Sequence, residues 1–352
     1  MRFVKASPFR LLLVLVVMTL ILIARNRQGV SDPSWEQSTM GTLCHITLSG
    51  SISKNELAAL REQIDAALVD VNRRMSIWQP DTEISKFNAF DSLEPFPISP
   101  EFAGVVRRAL ELSAATDGAF DPTVKPLVDH WGFGAGSDTQ PIDEILKAVG
   151  WRKISSKGDA LVKSHPNLQL DLSAIAKGYG VDAVANVIRR SGRMGFLVEI
   201  GGEIVADGFN SDGRMWRVGI EAPDSNQPFG TDILEAVELS GKALATSGDY
   251  RNFRVREDGT RFSHIIDPHT GMPAATDVAS VSVLADSCMD ADAIATALLV
   301  MGSEKSFQWL DTLRELEGET FPEVEAFFTL HASDQTFTTR ATDGFPLEER
   351  KN

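Results

Sequence analysis

Cysteine is nearly absent from this chain of 352 residues: Cys44 and Cys288 are the only two. Two thiols so far apart in sequence supply neither a disulfide framework nor a zinc site of the usual paired spacing. Cations are scarce as well, with 34 Lys and Arg against 49 Asp and Glu. Five of those cations precede residue 28 and no acid does, so the remainder carries a formal net charge of −20. A body that acidic repels nucleic acid and anionic membrane surfaces, yet tolerates divalent cations. No Gly-x-Ser-x-Gly, His-Glu-x-x-His or Walker sequence occurs, and no Gly-x-Gly-x-x-Gly stands where a dinucleotide-binding unit would need it. Those absences weigh against the common hydrolase and nucleoside-triphosphate chemistries. No internal repeat or low-complexity tract is evident.

What is there begins with an apolar run from Leu11 to Ala24, broken only by Thr19, with Arg2, Lys5 and Arg10 before it and Arg25 and Arg27 after it. The run is short for a spanning helix and long enough for a signal-peptide core. No small-x-small cleavage site follows, and no cysteine lies nearby to accept a lipid. Residues 1–27 are therefore expected to be an uncleaved signal anchor, with a cleaved signal peptide as the alternative. Residues 28–37 read as a linker and 38–345 as the folded body, with length for one large domain or two modest ones.

Within that body Thr42–Leu48 alternates as a strand does, and Asn55–Met75 places Leu57, Leu60, Ile64, Leu68, Val71 and Met75 at helical spacing. Further helices are expected at Pro100–Thr116, Pro141–Val149, Ser173–Arg190, 288–301 and 303–316. Strands are expected at Phe196–Ile200, Glu203–Ala206, Met215–Glu221, Ile233–Leu239, Ala243–Thr246 and Ala279–Leu284. Asn252–Arg256 and Arg261–Ile266 flank Asp258-Gly259, a hairpin signal. Helices and strands are partly segregated, which predicts an α+β fold rather than a doubly wound parallel sheet.

Several clusters are capable of chemistry, and each has an ordinary reading beside the functional one. Asp292 and Thr296 are four apart and share a helix face. They suit a hard cation such as Mg²⁺, or else the dipole of the helix N-terminus and a hydroxyl bonded back to its own helix, with Asp290 as the cap. Asp171 to Tyr179 puts Lys177 about a turn inside a helix start, a phosphate seat or a plain N-terminal cap. Glu199-Ile-Gly-Gly-Glu203 allows close backbone approach or a bulge. His264 is a general base, a phosphate contact or an ordinary hydrogen-bonded histidine. Trp78 and Phe120 offer ring-stacking surfaces or core aromatics. Cys288 paired with His264 as nucleophile and base has no local support for a lowered thiol pKa.

Taken in order, these clusters resemble the ApbE-type flavin transferases. The matching residues are Met40-Gly41-Thr42, Met75-Ser76 with Trp78 and Glu83-Ile-Ser85, Asp117-Gly-Ala-Phe-Asp-Pro122 and Asp171 to Tyr179. They continue with Gly201-Gly202-Glu203, Thr246-Ser-Gly-Asp-Tyr250, His264 to Gly271, and Ala291-Asp292-Ala293 with Thr296. The likeness spans about residues 38–315. It implies a single ApbE-like, T-fold-related catalytic domain that uses Mg²⁺ and FAD. The implied reaction moves the FMN half of FAD onto a protein threonine and releases AMP. Simple FAD hydrolysis and non-catalytic FAD storage are the alternatives. By the same resemblance, Ala174 (through its carbonyl), Asp292 and Thr296 hold the metal. Met40, Trp78, Ala119, Phe120, Asp121, Asp171, Lys177 and Ile266 contact FAD, and His264 is the base. Ala295 stands where some relatives carry a second carboxylate, and Lys177 where some carry an acid. The implied acceptor is a flavoprotein subunit of a membrane redox complex, a Na⁺-translocating quinone reductase or a related electron-transport complex. The implied location is the periplasmic side of a bacterial inner membrane, or the periplasm if the N-terminal segment is cleaved.

Overall fold

A computed structural model describes residues 29–223, 231–256, 258–315, 323–332 and 336–347. The apolar segment within 1–27 lies outside the described residues. Among the described residues no helix is long and apolar enough to cross a membrane. The centre of the fold is an eight-stranded sheet whose strands lie side by side in chain order, every neighbour antiparallel. The strands are Ser34–Thr39, Thr42–Leu48, Phe196–Ile200, Glu203–Asp207, Lys242–Gly248, Val278–Ala285, Glu325–His331 and Phe337–Ala341. The α+β expectation is met, in one domain.

The first strand corrects the linker expected over 28–37. Ser34–Thr39 pairs along its length with Thr42–Leu48, and Val30–Ser31 pairs with Ser51–Ile52. The connection is Met40-Gly41, at φ 50° and 76°. Two residues at positive φ form the hairpin turn whose twist matches the flanking strands. The polar composition of the strand hides it, because alternate side chains face solvent and few are apolar.

Helices occupy one face of the sheet. Lys54–Met75 starts at a Ser53 capping box with Glu56 and buries all six expected apolar positions. It packs on Ser173–Arg190, which crosses Cys288–Met301 against the central strands. The last of these is buried on almost every side, with Ala291, Ala293, Ile294, Ala295, Ala297 and Leu298 fully inaccessible. On the opposite face the hairpin Trp216–Glu221 with Ile233–Leu239 covers Leu244, Leu284 and Phe327.

Three local departures have physical causes. The helix expected over Pro141–Val149 stops after Ile142–Ile145, where the Lys153 ammonium gathers the carbonyls of Leu146, Lys147 and Val149 at 3.0, 2.7 and 2.7 Å. Short helices at Glu83–Ala89 and Lys125–His130 arise without a long apolar period. Asp290 is not a cap. Ser287 caps the Cys288–Met301 helix, and Asp182 accepts from the amides of Cys288 and Met289 at 3.1 and 2.9 Å and from Ser287 Oγ at 3.0 Å. Asp290 forms a two-pronged pair with Arg108, at 2.7 and 2.9 Å.

The two central helices touch backbone to backbone. A Cβ at Gly178 would lie 2.2 Å from the Cys288 carbonyl oxygen and 2.8 Å from the Met289 nitrogen. Gly178→Ala should therefore lower the unfolding free energy by about 2 kcal/mol or more. Gly104→Ala, on the Pro100–Ala115 helix in open space, should raise it by about 0.5–1 kcal/mol. Urea unfolding of both variants checks the pair, and equal midpoints would contradict the close crossing.

Candidate functional site

A cavity of about 740 Å³ opens at one end of the sheet, between the helix crossing and the loops that follow the strands. Trp78, Ala119, Phe120, Asp121, Asp171, Ala174, Lys177, His264, Ile266, Asp292 and Thr296 all line it. Residues from five separate stretches of sequence thus meet in one place. Met40 does not line the cavity. It lies in an adjoining groove that shares Trp78, Ser173 and Lys177 with it, and its sulfur is the atom nearest to where a Gly180 Cβ would be, at 3.0 Å.

The polar end of the cavity is built where the helices cross. Ser173–Arg190 starts at Leu172 without a side-chain cap, while Asp171 Oδ1 accepts the Ser173 amide at 2.8 Å. Ala174 departs from helical geometry, with φ −89° and ψ 16°. The Gly178 amide, which a regular helix aims at the Ala174 carbonyl, donates to Asp292 Oδ2 at 3.0 Å. Thr296, one turn beyond Asp292, has its hydroxyl 3.1 Å from that of Ser247.

Lys177 bridges two carboxylates. Its ammonium pairs with Glu203 and stands 3.8 Å from Asp292 Oδ1. Glu203 and Asp292 are 2% and 3% exposed, so two buried acids share one cation. Glu203 Oε2 is buried without any hydrogen-bond partner. Burial raises the Glu203 pKa to about 8, and it raises that of Asp292 as well. Burial alone would lower the Lys177 pKa, but the charges of Asp292 and Glu203 raise it, so the ammonium stays charged. Two buried acids held by one ammonium, with an idle carboxyl oxygen, form a site where a bound cation would favour their ionised forms. Among the described residues no group of three His, Cys, Asp or Glu side chains can hold a metal ion. The donors at hand are one carboxylate, one hydroxyl and a backbone carbonyl: hard oxygens suited to Mg²⁺ filled out by water or phosphate, and unsuited to zinc.

His264 follows directly on the strand Arg261–Ser263. Its Nδ1 lies 3.1 Å from the Asn252 carbonyl. A carbonyl only accepts, so Nδ1 carries the proton and Nε2 keeps its lone pair. Burial lowers the His264 pKa, which favours the neutral ring. Trp78 is 66% exposed at the rim, whereas Phe120 is 3% exposed and belongs to the core it partly walls. The Asp121 carboxylate holds its own loop, accepting from Thr123 N and Oγ1 and from Trp151 N at 2.8, 2.6 and 2.8 Å. Cys288 is fully buried and its thiol pKa is pushed well up by burial, which removes it as a nucleophile. Both cysteines are free thiols.

Sequence reasoning missed Glu203 as a site residue, along with Ser247 and Asp182. The signal for Glu203 was an acid directly after Gly201-Gly202 at a strand start; only the fold shows that it meets Lys177.

A family model described as the ApbE family matches residues 40–318. An FAD:protein FMN transferase of Vibrio cholerae is 43% identical over 293 residues, covering 82% of this chain and 86% of the relative. One from Haemophilus influenzae is 39% identical over 310 residues, covering 84% and 88%. Among solved structures, the flavin transferase ApbE from Vibrio cholerae matches with a TM-score of 0.78 at 37% identity, covering 90% of this chain and 98% of that one. The apo form of the Pseudomonas stutzeri flavinyl transferase ApbE matches with a TM-score of 0.77 at 32% identity, covering 90% and 96%.

The buried charge cluster makes a signed prediction. The folded-state pKa of Glu203, about 8, lies above its ordinary 4.5, so its contribution to stability is complete below pH 4.5 and is lost as pH rises toward 8. Glu203→Gln, measured in EDTA, should flatten that decline. Lys177→Met, which leaves two buried acids without a cation, should cost about 3 kcal/mol at pH 8. Unfolding curves from pH 4 to 9 would count against the cluster if both variants ran parallel to the parent protein.

Proposed function

The chain belongs to the ApbE family, and from that membership we propose that it is an FAD:protein FMN transferase which moves the FMN half of FAD onto a threonine of an acceptor protein. The observation that carries the chemistry is the charge cluster. A half-buried ammonium and two buried carboxyl groups stand at the end of a mostly apolar cavity large enough for a ring system.

In this reading FAD lies with a ring against Trp78 and Ile266 and its pyrophosphate toward Lys177. Asp292, Thr296 and the Ala174 carbonyl would hold Mg²⁺, which when bound supplies neutralisation of the phosphate oxygens. The acceptor hydroxyl oxygen bonds to the phosphorus of the FMN half. The bond from that phosphorus to the bridging oxygen breaks, and AMP departs with the bridging oxygen. The hydroxyl proton passes to Nε2 of His264, whose tautomer leaves that atom open. Lys177 balances the charge that moves onto the leaving phosphate. His264 needs no further activation, because its lowered pKa keeps it a free base at neutral pH.

The acceptor in this proposal is a subunit of a membrane redox complex of the Na⁺-translocating quinone reductase or electron-transport type. The cation-flanked apolar segment at residues 11–24 supports a site of action at the periplasmic face of the inner membrane.

Incubating the protein with FAD, Mg²⁺ and acceptor should increase the acceptor's mass by that of FMN and release AMP in equal amount. FMN free in solution with an unlabelled acceptor would establish hydrolysis instead. Asp292→Asn should raise the Mg²⁺ concentration for half-maximal rate by about tenfold or more while leaving the unfolding transition in place. An unchanged metal titration would remove the assignment.

His264→Gln should slow transfer by about 10²–10⁴-fold. The acid limb of the wild-type kcat/KM profile should fall below pH 6.5, the ordinary value from which burial lowers the ring. A limb above that pH, or one that persists in the glutamine variant, would assign the proton transfer elsewhere.

A further inference from the structure

Beside His264 the acidic surface changes sign. The hairpin Phe253–Val255 with Arg261–Ser263 carries Arg254, Arg256 and Arg261, and Arg251 precedes it. Arg251 pairs with Glu221, but among the described residues no carboxylate pairs with Arg254, Arg256 or Arg261. These three guanidinium groups lie over aromatic faces, and Arg254 and Arg261 also donate to the carbonyls of Gly132 and Tyr250. Arg256 stands 5.5 Å from the Trp131 ring and 5.3 Å from Phe262, Arg254 stands 5.4 Å from Phe133, and Arg261 stands 3.5 Å from Phe253. Such contacts fix a cation in place while leaving its charge uncancelled. Trp131, Phe262, Arg254, Arg256 and Asp258 line a shallow hollow of about 830 Å³ together with Val255, which is 60% exposed.

The hollow lies beside the site. Phe133, under Arg254, lies edge-on to the His264 ring at 6.2 Å, and Arg261–Ser263 runs straight into His264. A chain with a formal net charge of −15 thus gathers three arginines without a salt bridge here, against one nearby acid in the hollow, Asp258, beside Arg256. We infer that this arginine–aromatic hairpin is the docking surface for the acceptor protein, and that it engages an acidic segment next to the residue that receives FMN. The inference rests on the transferase reading above. A hydroxyl delivered to His264 by a folded protein brings that protein's neighbouring residues over the hairpin. Val255 gives the contact an apolar centre, and the arginines give it sign.

The test uses the full-length protein, FAD, Mg²⁺ and the native membrane fraction. The acceptor is identified by its flavin fluorescence and by the mass of the labelled peptide. Arg256→Glu should raise the KM for acceptor about tenfold with kcat retained. Asp258→Asn, which removes the acid lining the hollow, should lower it. The FAD dissociation constant should stay the same in both. The labelled peptide should carry a net negative charge around the modified residue, and added salt should weaken wild-type labelling more than that by Arg256→Glu. Unchanged acceptor KM in both variants, or a neutral or basic labelled peptide, overturns the assignment while leaving the transferase reading intact. Cleavage of FAD by the wild type without any labelled protein overturns the transferase reading itself. Loss of binding to phosphatidylglycerol vesicles by Arg256→Glu with normal transfer kinetics would give the patch to the membrane and not to the acceptor.

Discussion

Everything at the site depends on how closely two helices approach. Gly178 lets Ser173–Arg190 press its backbone onto the start of Cys288–Met301, and that contact brings the Asp292 carboxylate onto the Gly178 amide. Asp182 fastens the same crossing from the other side by accepting from the first amides of the second helix. With the backbones held there, Lys177 is drawn between Asp292 and Glu203, and the first turn at Ala174 loosens from helical form. The arrangement buries two acids against one ammonium in a place that water reaches poorly. A fold that holds two buried acids on one ammonium is less stable alone than with a cation bound there, so any cation that binds is linked to folding.

The sheet gives this crossing its address. Strands in chain order, each antiparallel to the next, place successive connections at alternate ends. The loops at 119–121 and 264–268, the helix start at 171–177, and the ends of the strands at Gly201-Gly202 and Thr246–Gly248 gather around one opening. An acidic protein thereby concentrates a few cations, Lys177 inside and the hairpin arginines outside, around a reaction that handles phosphates.

The legible parts of the sequence were those with a local cause. The Lys54–Met75 helix has a clear 3.6-residue period, and the strands from Phe196 to Leu239 are bounded by Gly-containing turns. Ser34–Thr39 was not legible, because an edge strand with polar alternation looks like a linker until its partner is known. The site was legible only as a series of clusters in a familiar order; neither the period nor the spacing of any one of them joined Asp171–Tyr179 to Asp292. Met40 belongs to that series yet lies in the neighbouring groove, since the two-residue turn it occupies directs it toward Gly180. Glu203 escaped because its role depends on a partner 26 residues away on a helix, a distance set by the sheet and not by the strand.

Chain-order pairing also shapes how the molecule comes together. Three neighbouring pairs, Ser34–Thr39 with Thr42–Leu48, Phe196–Ile200 with Glu203–Asp207, and Glu325–His331 with Phe337–Ala341, close over short connections. Thr42–Leu48 meets Phe196–Ile200 only after the excursion through most of the helices. The loop entropy of that closure grows slowly with length, but it must be overcome before the strand pairs repay it. The contacts of Lys177 with Glu203 and Asp292, and of Thr296 with Ser247, join the two crossing helices to each other and to the central strands. The charge cluster at the cavity is thus complete only when the two helices and the central strands have come together, and any ligand that binds there favours fully assembled chains.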